Sequence, residues 1–101
     1  MYRHTKFKLS ALAKKDLLII FKFTIQNWGK IKAKEYAEKL TDSFNFLANS
    51  PKAGKTRNDL YTNAMSFPVG SHIIFYAIDK ELSNITIARI LHKRMNFESQ
   101  F

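Results

Sequence analysis

The sequence predicts an α+β domain with the element order β-α-α-β-β-β, in which an antiparallel sheet carries a helical hairpin on one face. Apolar residues recur with helical spacing over about residues 11–49, and strand-like runs fill most of 61–93. A polar loop with proline and glycine separates the two halves. The 101 residues, 46% of them hydrophobic, suit a single domain over 1–101 with one core.

The first helix follows a short strand. The strand-like FKLS ends at Ser10, a suitable N-cap for a helix over ALAKKDLLIIFKFTIQNW, and Gly29 suits the backbone turn after it. One apolar stripe is expected to face the core: Ala13, Leu17, Ile20, Thr24 and Trp28. A second stripe, formed by Leu18, Phe21 and Ile25, lies beside it. We expect the sheet to be its main cover and a partner protein to cover the rest.

A second helix is predicted from Ile31 to about Asn49, where apolar residues recur at the i, i+4, i+7 spacing. Because Gly29 allows a tight connection, the two helices should pair as an antiparallel hairpin. The aromatic residues of this hairpin are expected to pack in the core: Phe21, Phe23, Trp28 and Phe44.

Three strand-like runs complete the domain, at about Tyr61–Val69, Ser71–Asp79 and Ile85–Lys93. Gly70 and the KELSN turn at 80–84 separate them, and connections this short require antiparallel hairpins. His72, inside FPVGSHIIFYAID, is interpreted as a packed or edge histidine.

Composition and charge exclude several classes of protein. Without cysteine the chain forms neither disulfides nor thiolate metal sites, so a cytoplasmic location is expected. The amino terminus lacks the apolar core of a secretory signal, and the longest apolar run, LLIIF at 17–21, is too short to cross a bilayer. The formal charge of +9 favours anionic partners.

Motifs for catalysis and cofactor binding are missing from the sequence. His4, His72 and His92 are scattered instead of paired for a metal, and there is neither a glycine-rich phosphate loop nor a GxSxG turn. We therefore expect no catalytic centre, no metal and no cofactor.

Five segments, in this order, resemble the ParE branch of the RelE/ParE toxin superfamily. They are Asp16-Leu17, Trp28-Gly29, NSPKAGK, FPVGSHIIFY and RILHKRM. The resemblance spans nearly the whole chain and implies a bacterial toxin that a cognate ParD-like antitoxin holds inactive. ParE-like toxins inhibit DNA gyrase, so that cleaved DNA accumulates, whereas RelE-like relatives cut messenger RNA in the ribosome.

The residues after Gly70 favour gyrase as the target. Ribonuclease relatives often carry an arginine soon after this glycine, but here Ile73 and Ile74 follow within a few residues. A ribosome-dependent nuclease remains the alternative, with a reduced acid–base set: Tyr76, Arg89, His92, Lys93 and Arg94. Strand alternation opposes it, because His92 should point away from the face that Arg89 and Lys93 share. A nucleic-acid-binding module without toxicity has no recognised motif to support it.

Two groups of residues are the candidate sites. DNA gyrase, with DNA contacted only inside the gyrase complex, is expected to meet basic residues of the last strand and the central loop: Arg89, His92, Lys93, Arg94, Lys55 and Arg57. The ParD-like antitoxin is expected to lay an amphipathic helix along the helical hairpin and to add a strand to the sheet. Its candidate contacts are Leu18, Phe21, Ile25 and Tyr36.

Overall fold

The computed structural model of the protein describes residues 7–79, 81 and 84–101. Within them, the chain forms the elements β1 (Phe7–Leu9), α1 (Ala11–Trp28), α2 (Lys30–Asn49), β2 (Lys55–Thr56), β3 (Ala64–Val69), β4 (His72–Asp79) and β5 (Asn84–His92). The predicted α+β class is confirmed. The predicted boundaries of α1 are confirmed too, since Ser10 caps it by accepting from the Ala13 amide at 3.0 Å and Gly29 has a φ of 89°, whereas α2 begins one residue before the predicted Ile31.

The strands form one sheet in the order β1-β5-β4-β3-β2. β3, β4 and β5 are the predicted antiparallel meander, and β2 extends it antiparallel to β3. β1 instead runs parallel to β5, with Phe7 opposite Ile85. Because the helices and the meander separate these strands along the chain, no hairpin turn sets their relative direction. The sheet is therefore mixed at this edge.

The region between α2 and β4 differs in detail from the prediction. The polar loop contains the extra strand β2, which places Lys55 opposite Ser66 and is too short to produce a periodic pattern. β3 begins at Ala64 and not near Tyr61, since Asn63 in the preceding turn has a φ of 63° that a strand does not accept. The KELSN turn predicted at 80–84 lies partly outside the described residues.

The main core lies between the helical hairpin and one face of the sheet. Phe44 of α2 is buried there and contacts Phe7, with ring centroids 5.4 Å apart. The apolar residues whose spacing predicts α2 form its buried side, among them Ala33 and Leu40. The largest side chains fully buried in this core are Leu40, Phe44, Leu47, Ile74, Tyr76, Ile85 and Ile87.

The opposite face of the sheet is covered by residues 94–101, here called the carboxyl-terminal segment. Phe75 is fully buried on that face, and the rings of Phe97 and Phe101 lie 5.0 and 5.2 Å from its ring. The guanidinium of Arg57 stands 6.0 Å above the Phe97 ring. The sheet is therefore packed on both faces, by helices on one and by aromatic side chains on the other.

Candidate functional site

Helix α1 is attached to the edge of β5 by two polar side chains. Ser10 donates to the carbonyl of Ala88 at 2.7 Å. Asp16 accepts from the Ile90 amide at 3.0 Å and from two nitrogens of the Arg89 guanidinium at 2.9 and 3.0 Å. These bonds give hydrogen-bond partners to backbone groups of β5 that lie beyond the end of β1 and therefore have no neighbouring strand on that side. They hold α1 close to β5.

The ion pair with Asp16 removes Arg89 from the predicted target-binding surface. The two side chains are 14% and 10% exposed, and the hydrogen bond with Asp16 raises the pKa of Arg89. Arg89 also donates to the Gln100 carbonyl at 3.3 Å. The prediction that Arg89 belongs to the surface that contacts gyrase is therefore corrected. Its side chain instead connects α1, β5 and the carboxyl-terminal segment. Asp16 is the only acidic residue in the α1 sequence, but the sequence does not show which residue it pairs with.

The other basic residues predicted near the end of β5 are exposed. They are His92, Lys93 and Arg94. Their backbone is held by bonds from the Lys93 amide to the Ser71 carbonyl at 3.0 Å and from the Arg94 amide to His92 Nδ1 at 3.1 Å. Neither the Lys93 nor the Arg94 side chain forms an ion pair within the described part of the chain. Both charges are available to a partner.

The basic residues of the central loop lie elsewhere on the sheet. Lys55 is exposed on β2, and β3 and β4 separate that strand from β5. Arg57 donates twice to Asp59, at 2.9 Å each, and this hydrogen bonding raises the pKa of Arg57. The structure thus does not bring the two predicted groups of cations together, and Arg57 has an intramolecular partner.

α1 exposes large apolar residues that were predicted to be buried. Trp28 is 70% exposed, Phe23 60% and Phe21 39%, so the prediction that they pack in the core is wrong. Of the four predicted core aromatics, Phe44 alone is buried. Periodicity showed which residues share a face of α1, but β5 and α2 cover only a narrow line along it, centred on Ala13 and Ile20.

The second stripe of α1 borders a groove of about 430 Å³ between the two helices, here called the interhelical groove. Leu18 is 61% exposed and Ile25 half-buried, so the expectation that the sheet is the main cover of this stripe is corrected. Of the predicted antitoxin contacts, three line this groove: Leu18, Phe21 and Tyr36.

A second groove, of about 380 Å³, lies between α1 and the end of the β4–β5 pair, and is here called the strand-end groove. Its apolar wall is on α1, and its other wall contains both histidines of the strand ends. The lining residues used below are Ile19, Phe23, Trp28, Lys32, His72 and His92. Tyr36 lines both grooves.

A hydrogen-bonded group fixes the floor of the strand-end groove. The Tyr36 hydroxyl lies 2.7 Å from His72 Nδ1 and accepts from the Ser71 amide at 3.2 Å. His72 faces His92 across the strands, with ring centroids 5.3 Å apart. Burial, aided by the neighbouring His92, lowers the pKa of His72 to about 4, so its ring is neutral at pH 7. His72 is a packed histidine, as predicted.

The groups considered for acid–base catalysis are divided among different environments. Tyr76 is fully buried, where its hydroxyl donates to the Pro51 carbonyl at 2.6 Å and accepts from the Gly54 amide at 3.0 Å. Arg89 is paired with Asp16.

Over the described ranges, no three histidine or acidic side chains are placed to hold a metal ion, and His4 lies outside those ranges. None of the described helices is long and apolar enough to cross a membrane.

Comparison with known proteins identifies the family. The model of the ParE toxin of the type II toxin–antitoxin system parDE matches residues 7–97. The chain belongs to the ParE toxin family. Toxin ParE1 of Caulobacter vibrioides is 32% identical to this ParE toxin over 90 residues, which cover 89% of this chain and 91% of the relative. Toxin ParE1 of Mycobacterium tuberculosis is 28% identical over 94 residues, covering 93% and 95%.

Solved structures share the fold of this ParE toxin. A chain of the chromosomal ParDE toxin–antitoxin system from P. aeruginosa matches with a TM-score of 0.73 at 17% identity, covering 87% of this chain and 95% of that one. A chain of the toxin–antitoxin complex RelBE2 from Mycobacterium tuberculosis matches with a TM-score of 0.61 at 21% identity, covering 90% and 100%. These structures agree in fold, while the family model and the ParE1 relatives confirm the resemblance to ParE toxins that the five sequence segments indicated.

Proposed function

We propose that this ParE toxin inhibits DNA gyrase by stabilising the cleaved gyrase–DNA complex, and that a cognate ParD-like antitoxin neutralises it. The choice of target rests on Tyr76 and Arg89, two side chains that the nuclease alternative requires for catalysis. Tyr76 is hydrogen-bonded to the Pro51 carbonyl and Arg89 is paired with Asp16, so both are engaged inside the fold. A nuclease site needs groups that converge on one groove to activate the 2′-hydroxyl and to protonate the leaving oxygen. The described part of β4 offers Ile73 and Ile74 after the Gly70 turn instead.

Inhibition of this kind needs no chemistry from the toxin. A protein that binds the cleaved state of gyrase more tightly than the religated state shifts the equilibrium toward cleaved DNA. A difference in binding of about 1.4 kcal/mol shifts this ratio about tenfold. Lys93 and Arg94 are the strongest candidates for the contact, because they are exposed and form no ion pair with the described residues. Lys55, Arg57 and His92 are the further candidates.

The antitoxin contact is proposed at the interhelical groove. Leu18 and Phe21 expose large apolar surface there, and Tyr36 forms part of its lining. An amphipathic helix that lays its apolar face into such a groove buries this surface, and a segment that folds on binding is able to follow it. Ile25, half-buried on the same stripe, is the remaining candidate contact.

Two parallel reactions test the target. Purified toxin is incubated with gyrase and supercoiled plasmid, and separately with ribosomes that translate a defined message. Linear plasmid after denaturation supports gyrase inhibition, whereas message cut at the ribosomal A site without plasmid cleavage supports the nuclease alternative. The Lys93→Ala/Arg94→Ala variant should lose plasmid cleavage and keep its melting temperature. Lys34→Ala/Lys39→Ala, which removes two exposed charges from α2, is the matched control and should stay active.

The antitoxin contact is tested by Leu18→Lys. Because Leu18 is 61% exposed, a lysine there should leave the free toxin folded while the complex weakens by about tenfold or more. Leu12→Lys is the matched control, since Leu12 is exposed on the same helix but lines neither groove. Loss of folding in free Leu18→Lys toxin would show that the residue belongs to the core.

A further inference from the structure

We propose that the strand-end groove is a second docking site, which takes an acidic and apolar segment of the antitoxin; this inference rests on the antitoxin of the proposed function. The two grooves lie on opposite flanks of α1 and meet at Ile20, Thr24 and Tyr36. An occupant of the interhelical groove alone would leave the other flank of α1 open to water. The antitoxin therefore holds α1 from both sides.

The apolar wall of the strand-end groove is formed by exposed side chains. Ile19 and Phe23, one helical turn apart, are 59% and 60% exposed, and Trp28 extends the wall toward the end of α1. Aromatic side chains of this size are the residues that gain most when a partner covers them. The groove is also preformed, because the hydrogen bond between the Tyr36 hydroxyl and His72 Nδ1 fixes its floor.

The toxin's own carboxyl-terminal segment is not the cover of this groove. Phe97 and Phe101 pack on Phe75, on the face of the sheet that points away from the helical hairpin. The aromatic side chains of that segment therefore already pack against another part of the fold. Among the described residues, none of the remaining segments covers the groove on the helical side, and we assign it to a different chain.

The charge around the groove selects the chemistry of that chain. Lys32 lines the groove, and four further exposed cations lie beside it. Two of them are on α1, four residues before and three residues after Ile19, and two directly follow His92 in the chain. These flanking residues are Lys15, Lys22, Lys93 and Arg94. Among acidic residues close to these positions, Asp16 is buried against Arg89, and Glu35 lies 3.8 Å from Lys32 in an exposed pair.

A second copy of the toxin does not fit this surface. Each chain carries a formal charge of +9, and two such grooves facing each other would bring lysines against lysines. A segment with carboxylates on either side of an apolar stripe pairs with the cations and fills the wall in the same contact. The occupant is therefore an acidic amphipathic segment.

Docking here also explains how the antitoxin neutralises the toxin. The groove ends at His92, and Lys93 and Arg94 follow directly in the chain. An acidic segment that reaches this end covers the two cations proposed to contact gyrase. Antitoxin and gyrase then compete for the same charges, so neutralisation is direct occlusion.

The single tryptophan of the chain makes the proposal testable, because Trp28 lies in this groove. The probe is the antitoxin encoded beside the toxin gene, with any tryptophan replaced by phenylalanine. When it is titrated into full-length toxin, Trp28 emission should shift to the blue and acrylamide quenching should fall severalfold. In acetylation footprinting of the same complex, Lys32 and Lys93 should be protected, whereas the exposed Lys52 should react as in the free toxin.

Two variants complete the test. Phe23→Ser should weaken antitoxin binding about tenfold or more, whereas Phe46→Ser, an exposed phenylalanine on α2 outside both grooves, should not. Tight binding with unchanged Trp28 quenching and unprotected Lys93 would overturn this inference and leave the proposed function standing. If the wild-type toxin does not bind the antitoxin at all, the proposed partner itself is wrong. Should Phe23→Ser fail to fold, Trp28 quenching in the wild-type complex still decides.

Discussion

The substitution Asp16→Ala tests whether the buried ion pair attaches α1 to the sheet. It removes the acceptor of three hydrogen bonds, two from Arg89 and one from the Ile90 amide, at 2.9 to 3.0 Å. The Arg89 charge would remain at a site where its side chain is 14% exposed. Removing one member of a buried pair typically costs about 3–5 kcal/mol. Since this pair retains some contact with water, we expect a loss of about 3 kcal/mol.

A loss of this size is readily measured. Domains of this length have a total stability of about 5–15 kcal/mol, and each kcal/mol lowers the melting temperature by about 4–8 °C. The melting temperature should therefore fall by more than about 10 °C, with a matching shift of the urea midpoint.

Two further variants control this measurement. Asp59→Ala removes the partner of Arg57 from a pair whose aspartate is 55% exposed, so it should cost much less stability than Asp16→Ala. Asp16→Ala/Arg89→Met removes both charges and should recover part of the stability that Asp16→Ala loses. Equal losses for Asp16→Ala and Asp59→Ala would refute the reasoning, because they would mean that burial does not strengthen the first pair.

Three other predictions concern side chains that are packed inside the fold, Tyr76 fully buried and His72 and Phe97 half-buried. Tyr76→Phe should lower the free energy of unfolding, measured in urea, by about 1–3 kcal/mol, because the Pro51 carbonyl and the Gly54 amide lose their hydrogen-bond partner. A variant as stable as the wild type would contradict these buried hydrogen bonds. The pKa of His72 is about 4 in the folded protein against an ordinary 6.5, so the unfolded chain takes up a proton first and stability should fall between about pH 6.5 and 4. His72→Gln should flatten that slope of the unfolding free energy, and an unchanged slope would assign it to other groups. Phe97→Ala should lower stability by about 2 kcal/mol through lost packing on Phe75, whereas an unchanged thermal melt would mean that the carboxyl-terminal segment adds nothing to the fold.

The sequence by itself determined every described α-helix and strand except the short strand β2, together with their order and the family. Local signals sufficed for the boundaries of α1, because a cap at Ser10 and a positive φ at Gly29 depend on neighbouring residues. The short connection at Gly70 required the hairpin between β3 and β4 in the same way. The apolar residues after Gly70 were likewise readable from the sequence, and they favoured gyrase over the ribosome as the expected target.

Only the tertiary structure decided which side chains are free to act. Arg89 looked like one more surface cation, but its partner Asp16 is 73 positions away in the chain and no local pattern shows that pairing. Trp28 and Phe23 looked like core residues, but helical periodicity defines a face without showing whether another element lies against it. Burial and ion pairing depend on contacts between distant segments. For that reason the two exposed grooves beside α1 became visible only when the chain was folded.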